Sequence, residues 1–380
     1  MTERLGIIGA GQLGAYLCQF ATQMGIESRV MCHDTISPGV ALATDHVTAP
    51  YDDEAAARWL CETSDVVTFE FEDVPDNTLR FLQEQTDAVV FPRPETLLML
   101  KNKARQKTWL AANNIPTSEF VVCDNGADLS ELQTKFGERF VQKAQTGGID
   151  GQGVQVINAD NSANLWQQPS LVEAFVPHVR ELAVLVVRGR TGAARSFPVV
   201  ELRFCSETNV LLVANSPARI SPEIEAAAKS LSEQVIEAMD GVGVFAIELF
   251  ETSSGDLLVN EISPRVHNSG HMTIEAHECN QYEQHIRAVL GHELGSTSQS
   301  LPSAMTNLLY RETIKDFVGR PFSAWPDQNE AVTVHWYGKT AAREGRKMGH
   351  VTSVADTLEL AVSQVAEVSK RLGFDVDDAL

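Results

Sequence analysis

The first part of the chain alternates between apolar runs that predict strands and segments that predict helices. Leu5–Ile8 is an apolar run that breaks into glycines, and a helix is expected from there to about Met24. Further strands are expected at Arg29–Cys32 and Asp65–Glu72, with a helix at Glu54–Thr63 between them. Because alternating strands and helices form a parallel sheet covered by helices, this region predicts an α/β domain.

The glycines after the first predicted strand match the GxGxxG spacing of dinucleotide-binding folds. Gly9, Gly11 and Gly14 occupy the three glycine positions. Asp34 lies close to the end of the second strand, where such folds carry an acid for the ribose. A nicotinamide-dependent oxidoreductase is therefore one alternative, although a tight turn without a ligand has the same glycines. Binding of NAD rather than ATP would distinguish this alternative.

A predicted hairpin in the second half of the chain carries a glutamate near the end of each strand. Val244–Glu248 and Leu257–Glu261 are apolar runs separated by a turn that contains glycine. Side chains alternate across a strand, so the neighbours of Glu248 can face a core while its carboxylate faces the other side. Glu248, Glu261 and the amide oxygen of Asn260 are hard oxygen donors, suited to Mg²⁺ that bridges nucleotide phosphates. A solvated hairpin face is the alternative interpretation.

A dense polar segment follows the hairpin. Arg265, His267, Asn268 and His271 lie within seven residues and are separated by small side chains and one valine. This density favours a functional site over a solvated surface. We therefore take Arg265, His267 and Asn268 as candidate catalytic residues.

The middle of the chain carries a lysine followed by a glycine-rich loop. The predicted strand Arg139–Lys143 ends in the lysine, and Thr146–Gly153 contains four glycines in eight residues. Such a loop exposes backbone N–H groups that can surround an anion, with Lys143 as a point charge. A flexible solvent loop is the alternative. The next predicted strand, Pro169–Val176, could offer backbone groups to a purine, and Glu181 a carboxylate to a ribose.

Two segments concentrate positive charge. Leu97–Asn113 predicts one helix with several lysines, which usually indicates a solvated helix face. Arg343–His350 predicts a basic loop after a strand at Ala331–Lys339, and a phosphate on the substrate would explain it. A final helix is expected at Leu358–Leu372.

Composition limits the class of protein. The chain has 380 residues, 43% of them hydrophobic and 21% charged, which is typical of a globular protein of about two or three domains. The net charge of −21 argues against a nucleic-acid partner. Six scattered cysteines without metal-ligand spacing indicate reduced thiols, and no segment has the length and hydrophobicity of a membrane helix or signal peptide. A cytoplasmic protein without a membrane partner is expected.

Taken in order, these motifs resemble the N5-carboxyaminoimidazole ribonucleotide synthetases, ATP-grasp enzymes of purine biosynthesis. The resemblance covers nearly the whole chain and rests on the GQLG turn, the FEFE segment, PRVHNSGH and GRKMGH. It implies an ATP-grasp fold with a Rossmann-like preATP-grasp domain and a C-terminal extension that packs on the large domain. The implied boundaries are 1–95 for the preATP-grasp domain, 96–182 for the helical link and lid, 183–300 for the large domain and 301–380 for the extension.

The resemblance also implies a reaction and a set of roles. ATP phosphorylates bicarbonate, and the amine of aminoimidazole ribonucleotide captures the carboxyphosphate or the CO₂ that it releases, in a homodimer that requires Mg²⁺. Glu248 and Glu261 would hold the metal. The ATP-binding residues would be Lys103, Lys143, Gly148, Ile149, Asp150, Gly151, Gln152, Gly153, Val154, Glu173, Ala174, Phe175, Val176, Glu181, Asn260 and Glu261. The ribonucleotide would contact Gln12, Leu13, Glu72 and Asn268, with Lys339, Arg346 and Lys347 on its phosphate.

Several positions depart from the family pattern. Ile149, Gln152 and Val154 stand where the lid loop usually has tyrosine, a cation and glutamine. Phe204 replaces a histidine and Met272 a tryptophan. We expect ordinary ATP binding but poorer coupling of ATP hydrolysis to carboxylation. A diverged ATP-grasp ligase that joins a different carboxylate to a different amine, and a non-catalytic nucleotide sensor, are the alternatives that these departures leave open.

Overall fold

The computed structural model describes residues 2–84, 88–147, 153–205, 209–312, 318–326, 331–341 and 343–374. Among these residues, strands form three sheets: a small parallel sheet at the N-terminus, a small antiparallel sheet, and one large antiparallel sheet. No helix in the described part of the chain is long and apolar enough to cross a membrane.

The N-terminal region forms the parallel α/β sheet that the sequence predicts. Its four strands run side by side in the order β3-β2-β1-β4. The elements are β1 (Arg4–Ile8), α1 (Gln12–Gln23), β2 (Glu27–Cys32), β3 (Asp45–Thr48), α2 (Glu54–Thr63), β4 (Val66–Phe69), α3 (Asp76–Glu84) and α4 (Pro94–Leu100). Strand β4 is shorter than expected, so Glu70 and Glu72 follow its carboxyl end instead of belonging to it.

The predicted basic helix Leu97–Asn113 is wrong as a single element. It consists of α4, which ends at Leu100, and α5 (Lys103–Ala112). Asn102 separates them, because its side-chain oxygen accepts a hydrogen bond from the backbone N–H of Arg105 and caps a new helix. As a separate helix, α5 contacts the large sheet.

The small antiparallel sheet contains the lysine strand. Its order is β5-β8-β6-β7, with Lys143 near the end of β6. The elements are β5 (Phe120–Cys123), α6 (Leu129–Phe136), β6 (Phe140–Ala144), β7 (Val154–Ile157) and β8 (Ser170–Ala174).

The large sheet has the order β14-β13-β9-β11-β12-β15-β18-β17-β16, and β10 pairs with β9. Its strands are β9 (His178–Arg188), β10 (Ala194–Ser196), β11 (Val200–Phe204), β12 (Leu211–Ser216), β13 (Gly243–Thr252), β14 (Leu257–Ser263), β15 (Ser303–Leu309), β16 (Phe322–Pro326), β17 (Val332–Tyr337) and β18 (Lys347–Val354). The accompanying helices are α7 (Pro222–Ala238), α8 (Thr273–Ala276), α9 (Gln281–Leu290) and α10 (Leu358–Arg371).

The C-terminal segment extends this large sheet. Strand β15 pairs with β12, and β18 and β17 continue outward from it. The predicted basic loop Arg343–His350 is therefore wrong in its second half: β18 begins at Lys347, because Met348 and the residues after it are buried between two paired strands. Lys347 consequently has a fixed position at the start of a strand.

A shared core joins the N-terminal sheet to the large sheet. Tyr16 of α1 packs against Tyr282 of α9 and Tyr337 of β17, and all three rings are buried. Its hydroxyl also lies 2.9 Å from Nδ1 of His335. Burying several aromatic rings in one cluster stabilises the packing between these regions and fixes the space between them.

Candidate active site

A cavity of about 420 Å³ lies where the three sheets meet. Most of the residues singled out in the sequence line it, although they come from distant parts of the chain. These residues are Gln12, Leu13, Glu72, Lys103, Lys143, Val154, Glu173, Ala174, Phe175, Val176, Glu181, Glu248, Asn260, Glu261, Arg265, His267, Asn268 and Lys347. The fold therefore brings the candidate nucleotide, metal and substrate residues to one place.

The remaining candidates fall into two groups. Among the described residues, Gly153, Lys339 and Arg346 do not line the cavity. The side chain of Lys339 lies next to it, because its Nζ donates to the backbone oxygen of Lys347 at 2.8 Å, whereas Arg346 donates to the backbone oxygen of Ala341 at 2.6 Å. The other lid-loop candidates, 148–152, lie outside the described residues.

The two hairpin glutamates face each other across paired strands. Glu248 of β13 is the register partner of Glu261 of β14, and both line the cavity. The residues on either side of Glu248, Ile247 and Leu249, are buried in the core, so the strand alternates as expected. Burial, reinforced by Glu261 and Glu181, raises the pKa of Glu248 to about 8. Glu261 already pairs with Lys103, and a cation bound beside Glu248 would favour its ionised form.

This donor set fits Mg²⁺. Two carboxylates and the Asn260 oxygen are hard oxygen ligands, and the raised pKa of Glu248 reflects its burial beside the carboxylates of Glu261 and Glu181. Within the described residues there is no group of three or more His, Cys, Asp or Glu side chains arranged around a metal position. Mg²⁺ commonly keeps water and substrate phosphate among its ligands, so a two-carboxylate site is typical of a metal that arrives with a nucleotide.

One face of α5 attaches to the edge strand of this hairpin. Lys103 pairs with Glu261, and Gln106 makes two hydrogen bonds with the backbone of Ile262, one to its N–H and one to its carbonyl. Lys107 donates to the carbonyl of Val259 at 3.2 Å. Positions i, i+3 and i+4 share a helix face, which explains why these three side chains contact one strand. The interpretation of the lysines as a solvated face is wrong for Lys103 and Lys107.

Lys143 reaches the cavity from the small sheet. Its Nζ lies 2.9 Å from Oε1 of Glu173 and donates to the amide oxygen of Asn260 at 2.9 Å. On the other side of Glu173, Oε2 accepts from Ser118 at 2.6 Å and lies 3.2 Å from Nζ of Lys107. Burial alone would raise the pKa of Glu173, but the two lysines outweigh it and hold the pKa at about 2. Glu173 is therefore ionised between two ammonium groups.

The polar segment after the hairpin is tied to the N-terminal sheet. Arg265 makes a bidentate ion pair with Glu72. Its Nε donates to Oε2, and its Nη2 donates to Oε1 at 3.0 Å. Burial would raise the pKa of Glu72, yet Arg265 holds it at about 2. Asn268 exchanges two hydrogen bonds with Asn307 of β15, at 3.0 and 2.7 Å. These pairs fix the segment between three parts of the molecule.

His267 presents one ring nitrogen to the acidic pair. Its Nδ1 accepts the backbone N–H of Ser269 at 3.3 Å, so the neutral ring carries its proton on Nε2. Nε2 lies 3.7 Å from Oε1 of Glu248. This arrangement makes His267 a hydrogen-bond donor toward the cavity.

The glycine turn at the N-terminus holds a carboxylate of the protein itself. Oε2 of Glu70 accepts the backbone N–H of Gly11 at 2.5 Å, and a Cβ on Gly9 or Gly11 would lie 2.6 or 2.3 Å from this carboxylate. Burial raises the pKa of Glu70 although backbone N–H groups of the turn oppose the shift. Because Glu70 fills the position that a pyrophosphate would occupy, the glycines do not support the nicotinamide alternative.

Apolar side chains form another part of the wall. Val141 and Val156 of the small sheet, Phe250 of β13 and Phe204 of β11 line the cavity. Phe250 stacks on His178 with ring centroids 4.6 Å apart, and His178 pairs with Glu181 at 3.4 Å. An apolar wall beside a carboxylate is suited to a purine and its ribose. Met272 does not reach the cavity and is buried in the core.

Sequence reasoning missed Glu70, Gln106 and Lys107. Lys107 is four residues after Lys103, a spacing that predicts a shared helix face, but its burial depends on Glu173 in another sheet. Glu70 is two residues before Glu72, and nothing local indicates that one carboxylate turns to the glycines and the other to Arg265. These roles depend on long-range packing.

Family comparisons agree with the geometry. The chain matches the ribonucleotide synthetase preATP-grasp domain over residues 1–101, the ATP-grasp domain over 108–282 and the phosphoribosylaminoimidazole carboxylase C-terminal domain over 303–364. It is 35% identical to N5-carboxyaminoimidazole ribonucleotide synthase of Brucella melitensis, covering 92% of this chain and 96% of that protein. It is 36% identical to the synthase of Pseudomonas aeruginosa, covering 96% and 98%.

The chain belongs to the N5-carboxyaminoimidazole ribonucleotide synthase family. Solved structures agree: the Thermotoga maritima synthetase aligns with a TM-score of 0.86 and 35% identity over 97% of this chain and 98% of that one. The Aspergillus clavatus synthase, in complex with ADP and aminoimidazole ribonucleotide, aligns with a TM-score of 0.85 and 27% identity over 98% and 99%. The chain is therefore an ATP-grasp ligase with preATP-grasp and C-terminal domains, as the sequence motifs predict.

Proposed function

We propose that this protein transfers the γ-phosphoryl group of ATP to bicarbonate and delivers the resulting activated carboxyl group to the amine of aminoimidazole ribonucleotide. The products are N5-carboxyaminoimidazole ribonucleotide, ADP and phosphate. The observation that carries the proposal is one cavity lined by Lys103 and Lys143, the Glu248–Glu261 pair and the Arg265–Asn268 segment. A diverged ligase for another amine is not favoured, because the similarity to synthases extends over 92% and 96% of the chain.

The nucleotide end of the cavity would bind ATP through contacts of different kinds. Lys103 and Lys143 supply positive charge for the phosphates, and the strand segment 173–176 offers backbone groups to the purine. We assign Glu181, which lines the cavity, to the ribose. Glu248 and Glu261 would hold Mg²⁺, which when bound neutralises charge on the phosphate oxygens.

The reacting groups would meet beside Arg265 and His267. Bicarbonate is a poor acceptor for an amine until it is phosphorylated, so the site must stabilise an anion with charge spread over several oxygens. Arg265 is oriented by Glu72, and His267 carries its proton on the nitrogen that faces the cavity. We assign both as donors to the bicarbonate oxygens. Asn268, Gln12 and Leu13 would position the ribonucleotide, with Lys347 on its phosphate.

The proposal is tested by measuring phosphate release with ATP, bicarbonate and aminoimidazole ribonucleotide, omitting each component in turn. We expect release to require all three and Mg²⁺, and ¹³C-bicarbonate to appear in the product as a carbamate. ATP hydrolysis that is unaffected by the ribonucleotide, with no labelled carbamate, would contradict it. Size-exclusion chromatography with light scattering tests the proposed homodimer. Microscopy of a tagged chain tests the proposed cytoplasmic location.

A further inference from the structure

We propose that Lys107 is a positioning residue for ATP binding: by sharing the carboxylate of Glu173 with Lys143, it leaves the positive charge of Lys143 available to the nucleotide phosphates. This inference rests on the proposed ATP site, and it adds a residue that does not itself line the cavity among the described side chains.

Lys107 occupies an unusual position for a lysine. Its side chain is 2% exposed, and its ammonium group contacts Oγ1 of Thr117 at 2.6 Å, Oγ of Ser118 at 2.9 Å and the carbonyl of Val259 at 3.2 Å. A buried ammonium is costly unless it is paired and hydrogen-bonded, and an apolar side chain of similar volume is often equally stable. Packing alone therefore does not explain a charge at this position.

The charge count of the cluster explains it. Glu173 lies between Lys107 on Oε2 and Lys143 on Oε1, so two ammonium groups share one carboxylate and the cluster carries a net charge of about +1. Lys143 faces the cavity, whereas Lys107 is enclosed behind Glu173. Without Lys107, Glu173 would neutralise Lys143, and the phosphates would meet a cluster with no net charge.

The contacts of Lys107 also place the cluster relative to the hairpin. Val259 immediately precedes Asn260 along β14, and its carbonyl accepts hydrogen bonds from both Lys107 and the hydroxyl of Thr117. Lys143 donates to Asn260. Lys107 therefore supports Lys143 through both of its partners, the carboxylate of Glu173 and the strand that carries Asn260.

The experiment compares Lys107→Met, Glu173→Gln and the double variant. Affinity for ADP is measured by calorimetry without bicarbonate or ribonucleotide, and KM for ATP and kcat are measured in the full reaction. We expect Lys107→Met to weaken nucleotide binding about tenfold, equivalent to about 1.4 kcal/mol. Glu173→Gln should tighten it, because Lys143 loses its neutralising partner. The double variant restores the net charge and should bind within about threefold of the unmodified protein.

A structural role for Lys107 gives a different pattern. If Glu173→Gln weakened ADP binding and the double variant bound ADP more weakly than either single variant, or if Lys107→Met left nucleotide affinity unchanged, the inference would be wrong. Arg105→Met is the matched control: it removes a cation from the exposed side of the same helix and should not alter ADP affinity.

Loss of folding in Lys107→Met does not remove the test, because tighter ADP binding by Glu173→Gln supports the inference and weaker binding overturns it. The ADP measurement also separates this inference from the proposed reaction. Absence of carboxylation with the expected affinity pattern would contradict only the reaction. Normal carboxylation with unchanged affinities would contradict only the role of Lys107.

Discussion

Two regions of this protein place carboxylates beside groups that attract anions, and they have opposite outcomes. At the N-terminal glycine turn, Glu70 accepts backbone N–H groups and is almost completely buried. At the corner formed by α5, β6 and the β13–β14 hairpin, Lys103 and Lys143 line the cavity together with Glu248 and Glu261. In the first region the backbone N–H groups are hydrogen-bonded by the protein's own carboxylate. In the second region the charged side chains line the cavity, where a ligand can contact them.

The difference shows that an anion-binding motif in the sequence binds a ligand only if no side chain of the same protein already occupies it. A glycine turn at a helix N-terminus favours an anion of any origin, including a side chain of the same protein. At the hairpin corner Glu261 pairs with Lys103, whereas burial beside Glu261 and Glu181 raises the pKa of Glu248 to about 8, so the folded protein disfavours its ionised form. Strongly perturbed carboxyl groups in a cavity are typical of functional sites.

The largest expected effect follows from removing one acid at the hairpin corner. Glu261→Gln keeps the shape of the side chain but removes a negative charge and a strong metal ligand. We expect steady-state kcat to fall by about 1,000-fold while the protein remains folded. Asp256→Asn, which removes an exposed charge from the turn of the same hairpin, should retain activity. A folded Glu261→Gln protein with near-normal Mg²⁺-dependent turnover would show that this corner is not the metal site.

A smaller effect is expected at the ribonucleotide phosphate. Lys347 lines the cavity, whereas Arg346 lies outside its described lining and donates to Ala341. Loss of a charge-assisted contact costs about 1.5–3 kcal/mol, so Lys347→Ala should raise KM for aminoimidazole ribonucleotide about 10- to 100-fold. Arg346→Ala should have the weaker effect, and Arg343→Ala in the same turn serves as the control. A change in KM for ATP alone would contradict the assignment.

Local sequence patterns predicted much of the fold because the elements concerned depend on near neighbours. Alternation identified the hairpin and both glutamates, and the strand–helix order identified the parallel sheet. The pairing of β12 with β15, which joins the C-terminal segment to the large sheet, has no local signal. The same limit applies to the site. Lys143 lies near the end of a recognisable strand and precedes the glycine-rich loop, whereas the role of Lys107 on α5 depends on the carboxylate of Glu173 in the small sheet.

The carboxylate of Glu70 in the glycine turn should contribute to stability rather than to ATP binding. Glu70→Gln replaces one acceptor oxygen with an amide and should leave a buried backbone N–H without a partner, which costs about 1–3 kcal/mol of unfolding free energy. KM for ATP should not change. Glu54→Gln, on the exposed start of α2, is expected to alter stability by less than about 0.5 kcal/mol. A marked change in ATP affinity with unchanged stability would indicate that the turn binds ATP.

The smallest expected effect is on acid stability, and its sign differs between the two regions. The pKa of Glu173 is held at about 2, below its ordinary value of 4.5, so its stabilising contribution is complete above 4.5 and is lost as pH falls toward 2. Burial raises the pKa of Glu70, so protonation in the folded state removes an unfavourable charge, and stability is gained as pH falls through that raised pKa.

The midpoint of urea unfolding between pH 6 and pH 3, compared among variants, measures both contributions. Glu173→Gln should lose less stability in acid than the unmodified protein, since the variant has no carboxylate there to protonate. Glu70→Gln should lose more stability in acid than the unmodified protein, because it lacks the gain from protonation of Glu70. Equal pH profiles for the two variants would show that Glu70 and Glu173 have similar electrostatic environments, and the contrast between the two regions would be wrong.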